Sequence, residues 1–440
     1  MSAGICISNK LAVAMAADSA VTIGNHLAVH NSTNKLFQLS YAPVGLITYG
    51  NAILMGVPIE IIINEYSKHL GDKTFPWLRD YAEDFCKFLG ENSSYLTFDS
   101  FSERFVHNMC ANLIGWIRNE YDSYILKSRI NPNDMDRAAK QSAYDMAFNN
   151  IISQINKRVK TDDYFAKYTR EKHFKYLEAA IKKDIGLNYM SDEQKKLLCD
   201  MTFEMLGRNV TWDKDKVGIV ISGYGEQDIY PRLCHFQMDR VIGGKVGINY
   251  REEDTEISEA HPSYINTFAQ RDIMENILYG MDRDETNRLM DIPNQIRQFI
   301  NKDKLFLECF AAQKDSVISR ICDSIRTRIN LIIDSKRWQN DIRNSIVYLP
   351  VQELALLAES MINITSIISK VKADENNSTV GGPVDVAVIS KNDGFVWIKR
   401  KKYFSNIDNP QYSTYVNHFE NNQKGTTFSD VIGWMHGKGK

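Results

Sequence analysis

The chain lacks any Cys-x-x-Cys pair. Its seven cysteines, Cys6, Cys86, Cys110, Cys199, Cys234, Cys309 and Cys322, are scattered and odd in number. That argues against a zinc ribbon, a thioredoxin-type redox centre and a disulfide framework, and a reducing, cytoplasmic setting is expected. Charge of one sign is missing too. The balance of 53 basic against 55 acidic residues leaves a net charge of −2, which gives no electrostatic footprint for nucleic acid. The basic run Lys399-Arg400-Lys401-Lys402 is accordingly read as a solvated strand end. No uninterrupted apolar run of membrane length stands out: the window Val44 to Ile63 is broken by Thr48, Asn51, Pro58 and Glu60, so no membrane span is expected. The stretch from Leu11 to Ala17 resembles a short signal core, but no basic segment precedes it and Asp18 ends it, so secretion is not expected. There is no internal repeat, no low-complexity tract and no phosphate-binding loop. Gly223-Tyr224-Gly225 has no phosphate-binding helix opening behind it and reads as a turn or a tight backbone approach.

With 440 residues, of which 43% are hydrophobic, the chain is long enough to bury a core without metal or disulfide staples. Strand character opens it. Ile5 and Ile7 alternate up to the polar turn at Ser8-Asn9-Lys10, and Leu11 to Ala17 follows. Leu27 to His30 and Leu36 to Leu39 flank the turn Asn31-Ser32-Thr33-Asn34, and Val44 to Thr48 runs into Gly50. From Ile61 to Gly207 apolar residues recur at three and four, as in Phe101, Phe105 and Met109, with a turn at Asn131-Pro132-Asn133-Asp134. Lys157 to Lys183, rich in Lys, Tyr and Phe but diluted by acids, reads as an amphipathic helix face. Strands return at Val217 to Ser222 and Ile229 to Met238. A second helical block runs from Asp272 to Asn344, followed by a helix over Leu354 to Ser369 with Leu354, Leu357, Met361, Ile364 and Ile368 on one stripe. Val384 to Ser390 and Phe395 to Lys399 close the order, joined through Asn392-Asp393-Gly394 as a hairpin. Strands first, in the middle and last, with helices between, suit an α+β protein of layered sheets with helices outside.

Chemistry gathers near the start. Initiator methionine before a small residue is normally removed, which would leave Ser2 with a free α-amine beside its own hydroxyl. An α-amine titrates near pH 7.7–8.0, about the working pH, so it suits the role of general base for that hydroxyl. A lysine nearby keeps the amine deprotonated by charge repulsion, and an aspartate holds the lysine. Lys35 and Asp18 supply these charges. Gly50, ending an apolar strand, is the candidate for an oxyanion-binding backbone N–H.

The ordered set Ser2, Ala14-Met15-Ala16-Ala17-Asp18-Ser19, Asn34-Lys35-Leu36-Phe37 and Gly45-Leu46-Ile47-Thr48-Tyr49-Gly50 resembles the proteasome β-subunit-like family of N-terminal nucleophile hydrolases and its bacterial relatives. Placing Ser2 on the nucleophile matches Ile5 through Thr22 without a gap, and Lys35 falls one residue late. Gly381-Gly382-Pro383-Val384-Asp385-Val386-Ala387-Val388-Ile389 with Asn392-Asp393-Gly394-Phe395 is similar to the family's closing hairpin. Val217 to Met238 resembles its central strand pair, and Phe268-Ala269-Gln270-Arg271-Asp272 stands where the family has a turn approaching the nucleophile. In the family an Asp and a Ser three residues later support the terminal amine; here Asp374 and Ser378 are four apart and farther from the hairpin.

The resemblance implies a four-layer αββα sandwich with large helical insertions. Its implied parts are an N-terminal core segment 1–60, a helical insertion 61–210, central strands 211–271, a second helical insertion 272–345, a C-terminal helix and hairpin 346–404 and a polar tail 405–440. It implies an amide-bond hydrolase acting on peptide or protein through an acyl-enzyme on Ser2, with Asp18, Lys35, Gly50, Asp374 and Ser378 in the site. It further implies a homo-oligomer and a partner unfoldase driven by ATP; no cofactor or metal is implied. The alternative is a catalytically inactive scaffold subunit that binds a partner through its helical blocks.

Other groups read as structural. Cys6 lies inside a strand without a free amine and reads as core. His26 and His30 are spaced by four without a third ligand, and Cys234-His235 likewise lacks metal-binding partners. Asp213 with Asp215, and Asp282 with Asp284 and Glu285, are interleaved with basic residues and read as a solvated loop or helix face.

Overall fold

The computed structural model describes residues 3–23, 28–30, 33–93, 99–128, 135–158, 190–206, 216–250, 255–302, 314–335, 344–372 and 381–402. Strands β1 (Ala3–Asn9), β2 (Ala12–Ala17), β3 (Val21–Ile23), β4 (Ala28–His30), β5 (Leu36–Gln38), β6 (Val44–Gly50), β7 (Ile53–Leu54) and β8 (Val57–Pro58) open the chain. Helices α1 (Ile59–Leu70), α2 (Leu78–Glu91), α3 (Asp99–Ser128), α4 (Arg137–Arg158) and α5 (Asp192–Leu206) follow. Then come β9 (Val217–Gly223), β10 (Arg232–Ile242), β11 (Lys245–Tyr250), β12 (Thr255–Glu256) and β13 (Ser263–Ala269). Helices α6 (Arg271–Tyr279), α7 (Arg283–Ile300), α8 (Lys314–Ser335) and α9 (Val351–Lys372) lead to the closing hairpin of β14 (Asp385–Ser390) and β15 (Gly394–Lys399).

Among the described residues two large antiparallel sheets result, beside the two-stranded ribbons β3-β4 and β7-β8. One has the order β13-β1-β2-β14-β15, the other β11-β10-β9-β6-β5 with β12 paired to β10. Chain ends thus meet in one sheet: β2, from the first twenty residues, lies between β1 and β14, with Ala17 opposite Gly4 on one side and Asp385 on the other.

Three apolar clusters account for the packing. Cys6, Val13, Met15, Ile47, Val220, Phe268 and Ile389 interlock where the inner faces of the sheets meet. Gly45 admits the close approach, since a Cβ there would fall 2.7 Å from Met15 Sδ. Ala12, Ala14 and Ala16, on the other face of β2, meet Ala355, Ala358, Met361 and Ile362 of α9; alanines on both partners let the helix lie close on the strand. The third cluster joins Val44, Leu46, Ile219, Phe236 and Met238 to α1, α2, α3, α4 and α5. Both faces of β1 and β2 are therefore covered, which is why every residue in them is buried. Each large aliphatic so buried contributes about 1.5–3 kcal/mol. The helices over 59–206 are consequently seated on the sheet through one continuous apolar cluster.

Several expectations shift in detail. The strand expected to begin at Ile229 begins at Arg232 and runs on to Ile242. Ile229 is 74% exposed, because Asp228 accepts from Leu78 N–H and Gly225 N–H and pairs with Arg232, tying that stretch into a turn. The buried stripe of α9 is Leu354, Ala355, Ala358, Met361, Ile362, Thr365 and Ser369. Ile364 points out, while Leu354, Ala355, Ala358, Met361 and Ile362 face the sheet. The helix over Val351–Val371, rather than the window from Val44 to Ile63, is the one helix among the described residues long and apolar enough to cross a membrane by length and composition, and 44% of it is buried against the sheet. The basic run is not simply solvated: Lys401 forms a buried ion pair with Asp385, Lys399 pairs with Glu359 and Arg400 lies over the Trp397 ring. Gly223-Tyr224-Gly225 is a tight turn in which Tyr224 N–H donates to Pro43 O at 3.0 Å. Asp282 caps α7 by accepting from Glu285 N–H, a bond that holds its carboxyl below the usual range. His26, Asp213, Asp215, the turn at 131–134, residues 159–183 of the Lys/Tyr/Phe stretch and the tail 405–440 lie outside the described residues.

Candidate functional site

At one end of the sheets, the first residue of β1, the turn after β2, the residue before β5 and the strap leading into β14 converge on one carboxylate. Asp18, 1% exposed, accepts from Ala3 N–H at 2.8 Å and from Lys35 Nζ at 2.7 Å through Oδ1. Through Oδ2 it accepts from Ala20 N–H and Gly381 N–H, each at 3.2 Å. The bond to Ala3 is reciprocal, because Asp18 N–H donates to Ala3 O at 3.1 Å. The peptide that joins residue 2 to residue 3 is thus held by the aspartate that also holds the lysine.

Sequence order explains the convergence. β2 ends at Ala17, so Asp18 is the next step of the ladder in which Gly4 faces Ala17, and its side chain reaches the start of β1. Ser19 then locks the turn to the far end of the chain: its N–H donates to Gly381 O at 3.2 Å and its hydroxyl to Pro383 O at 2.6 Å.

Lys35 is 3% exposed and hydrogen-bonds Asp18 and the carbonyl of Ala20. Burial lowers its pKa from the ordinary lysine value. The Asp18 carboxylate opposes that shift, and the charge of Lys401 reinforces it. Lys401 belongs to a second buried pair: its Nζ bonds Asp385 Oδ2, and its backbone N–H donates to Asp385 Oδ1 at 2.8 Å. Two carboxylate–ammonium pairs therefore lie near each other at this end of the sheet, one of them contributed by the last twenty described residues.

Gly50 ends β6 with φ of 81°, in the left-handed region, where a Cβ would lie 2.3 Å from Lys216 O. Next to it, Tyr49 Oη lies 2.7 Å from His235 Nε2 and accepts from Gln237 Nε2 at 3.0 Å, while Phe268 packs against both rings. His235 is therefore a buried partner of a tyrosine hydroxyl. Cys6 is buried in the inter-sheet core, and burial pushes its thiol up. Among the described residues no three His, Cys, Asp or Glu side chains gather to hold a metal.

Of the residues singled out in the sequence, the structure brings Asp18 and Lys35 into direct contact and sets Gly50 at a strand end. Ser2, Asp374 and Ser378 lie outside the described residues. The sequence reading missed Ala20 O, Ser19, Asp385 and Lys401. A signal existed for Asp385, a lone acid opening a strand that continues as Val, Ala, Val and Ile before Ser390; none existed for a backbone carbonyl.

No family model matches the chain, and no curated protein matches it. Among solved structures, it is similar to the Anbu (Gly-1) mutant from Hyphomicrobium sp. strain MC1 at 8% identity, covering 95% of this chain and 96% of that one with a TM-score of 0.27. It is likewise similar to Anbu (ancestral beta-subunit) from Yersinia bercovieri at 9% identity, covering 95% of each chain with a TM-score of 0.27. Identity and superposition at that level assign neither a family nor an activity.

Proposed function

We propose that the chain is a proteasome-like N-terminal nucleophile hydrolase that cleaves amide bonds of a peptide or protein through an acyl-enzyme on Ser2, exposed by loss of Met1. The observation that carries this reading is the Asp18 carboxylate, which binds both the Ala3 N–H, the peptide leaving residue 2, and the Lys35 ammonium, out of water. A buried lysine with a lowered pKa, held at the residue next to a terminal hydroxyl and amine, is the electrostatic arrangement such chemistry needs.

In the proposed cycle the Ser2 hydroxyl oxygen attacks the scissile carbonyl carbon while its proton passes to the α-amine. Lys35 keeps that amine unprotonated by charge repulsion, Asp18 orients Lys35, and Gly50 N–H holds the oxyanion. As the tetrahedral intermediate collapses, the C–N bond breaks and the proton goes to the leaving amine, leaving an ester on Ser2. Water then attacks the ester, gives its proton to the α-amine, and the Ser2 oxygen recovers it as the acid leaves. Asp374 and Ser378 are proposed to support the amine.

The two sheets, with α6 and α9 outside one and α1 to α5 outside the other, fit a four-layer αββα sandwich. A cytoplasmic homo-oligomer supplied by an ATP-dependent unfoldase completes the reading, since an open peptidase site would endanger its surroundings.

The test is to treat untagged protein with an electrophilic β-lactone and locate the adduct by peptide mass spectrometry. An adduct on a peptide beginning at Ser2, lost in Lys35→Ala, is expected; no adduct, or a retained Met1, overturns the reading. The extent of the helical layer over 59–206 favours the second reading, a non-catalytic scaffold that binds a partner. Full biological activity in Ser2→Ala would establish it.

A further inference from the structure

Of the four basic residues that end β15, one is drawn in. Lys399 pairs with Glu359 of α9 while 54% of its side chain stays exposed, and Arg400 and Lys402 are exposed as well, whereas the Lys401 side chain is only 10% exposed. A bulge prepares this. Trp397 faces Ala387 but Lys399 faces Val386, so Ile398 is an extra residue on β15 and re-aims the chain that follows it. Lys401 then holds one carboxylate twice, donating to Asp385 Oδ1 from its backbone N–H at 2.8 Å and to Oδ2 from Nζ. Asp385 fixes where that ammonium sits. It lies two residues before Ala387 of the inter-sheet cluster and opposite Ala17, the residue before Asp18, so its side chain stands at the mouth between the sheets. Lys35 reaches into the same mouth from before β5 to bond Asp18. The two carboxylates are engaged differently. Both Asp385 oxygens serve Lys401, while Asp18 divides its charge between Lys35 and the N–H groups of Ala3, Ala20 and Gly381, so the repulsion between the two ammonium groups falls on Lys35.

We propose that Lys401 is a positioning residue that acts through Lys35: anchored by Asp385, its ammonium opposes the charge on Lys35, so that the closing hairpin sets the pH range over which the lysine beside Asp18 is protonated. The bearing of this on catalysis rests on the nucleophile reading above. Charges that meet in a place closed to water act on each other more strongly than at a surface. The sign agrees, since the charge of Lys401 adds to burial in lowering the pKa of Lys35. Among the described residues the other titratable groups around Lys35 are Asp18 after β2, Asp385 on β14, Glu60 of α1, which accepts from the side chain of the neighbouring Asn34, and Lys370 of α9, whose side chain lies close to Gly381.

The test is an NMR titration of the full chain carrying isotope-labelled lysine, with the Lys35 signal identified by its loss in Lys35→Met and folding confirmed by circular dichroism. Lys401→Met should raise the Lys35 midpoint by about one pH unit, as removal of a nearby like charge does. Lys401→Arg keeps the charge and should leave the midpoint near its wild-type position. An unmoved midpoint in folded Lys401→Met overturns the inference, and so does a rise in Lys401→Arg as large as that in Lys401→Met, which would assign the effect to packing and not to charge. If Lys401→Met does not fold because Asp385 is left unpaired, Lys401→Met combined with Asp385→Asn removes both charges, and an unmoved midpoint there overturns the inference. Absence of a β-lactone adduct on Ser2 overturns the nucleophile reading alone, because the titration reads Lys35 without it.

Discussion

Two of the buried aspartate–cation pairs, Asp239–Arg240 and Asp18–Lys35, are of opposite character. At the helical side of the second sheet, Arg240 is 1% exposed and bonds Asp239 at 2.7 Å, and its Nε and Nη2 both donate to Leu206 O at the end of α5. A cation on the last carbonyls of a helix is stabilising, and burial lowers the arginine pKa without bringing its deprotonation within reach. This pair staples α5 to the sheet. At the other site the cation is a lysine, Lys35, with a pKa lowered by burial, and the carboxylate is tied to backbone N–H groups from three segments. The difference teaches that the same burial gives a fixed staple with arginine and a titratable group with lysine.

The largest effect expected is that of Asp18→Ala, which leaves Lys35 buried without its carboxylate and frees three backbone N–H groups. Removing one partner of such a pair costs about 3–5 kcal/mol. Denaturant unfolding should show that loss, and Ser2 acylation should vanish with it. Arg240→Ala should cost about 3 kcal/mol by leaving Asp239 and the end of α5 short of a partner. In the folded protein, however, Ser2 acylation should persist. Selective loss of acylation in folded Arg240→Ala would erase the distinction between the two pairs.

Lys35→Met sharpens the contrast. Asp18 keeps its backbone donors, so the stability loss should be smaller, about 2 kcal/mol, while acylation should fall by at least about a hundredfold. A pH signature accompanies it. The folded-state pKa of Lys35 lies below the ordinary 10.5, so the unfolded chain binds more protons between those values. Wild-type stability should therefore gain with rising pH across that window, and Lys35→Met should lose that gain. Unfolding free energies measured at several pH values check both.

How much of this was legible beforehand follows from what each part depends on. The strands near the chain start were legible because alternation in Ile5 and Ile7, and polar turns at Ser8-Asn9-Lys10 and Asn392-Asp393-Gly394, are local signals. Asp18 and Lys35 were legible from the motifs Ala14 to Ser19 and Asn34 to Phe37, as the carboxylate and lysine that a terminal hydroxyl and amine would need. Lys401 was not: its run looks like any basic surface stretch, and only the pairing of β14 with β2 brings Asp385 and Lys401 to the site. The buried face of α9 was legible in part: Leu354 and Met361 are buried as expected and Leu357 packs beside them, whereas Ile364 is exposed and Ala355 and Ala358, which give no aliphatic signal, face the strands.

The smallest predicted effect concerns Ala269, whose strain belongs to the lysine side of the comparison and has no counterpart beside Arg240. Non-glycine residues in the left-handed region cost about 1–2 kcal/mol. Glycine removes that cost but adds about 0.5–1 kcal/mol of unfolded-state entropy. Ala269 has φ of 68°, so Ala269→Gly should stabilise the protein slightly, by about 0–1.5 kcal/mol after that offset, visible as a small rise in unfolding midpoint. The same variant should leave Ser2 acylation near the wild-type rate, because position 269 meets the site only through the backbone ladder with Ala3, which glycine can keep. A variant that melts lower would mean that the left-handed turn before α6 carries little strain and that the added unfolded-state freedom of glycine decides the sign.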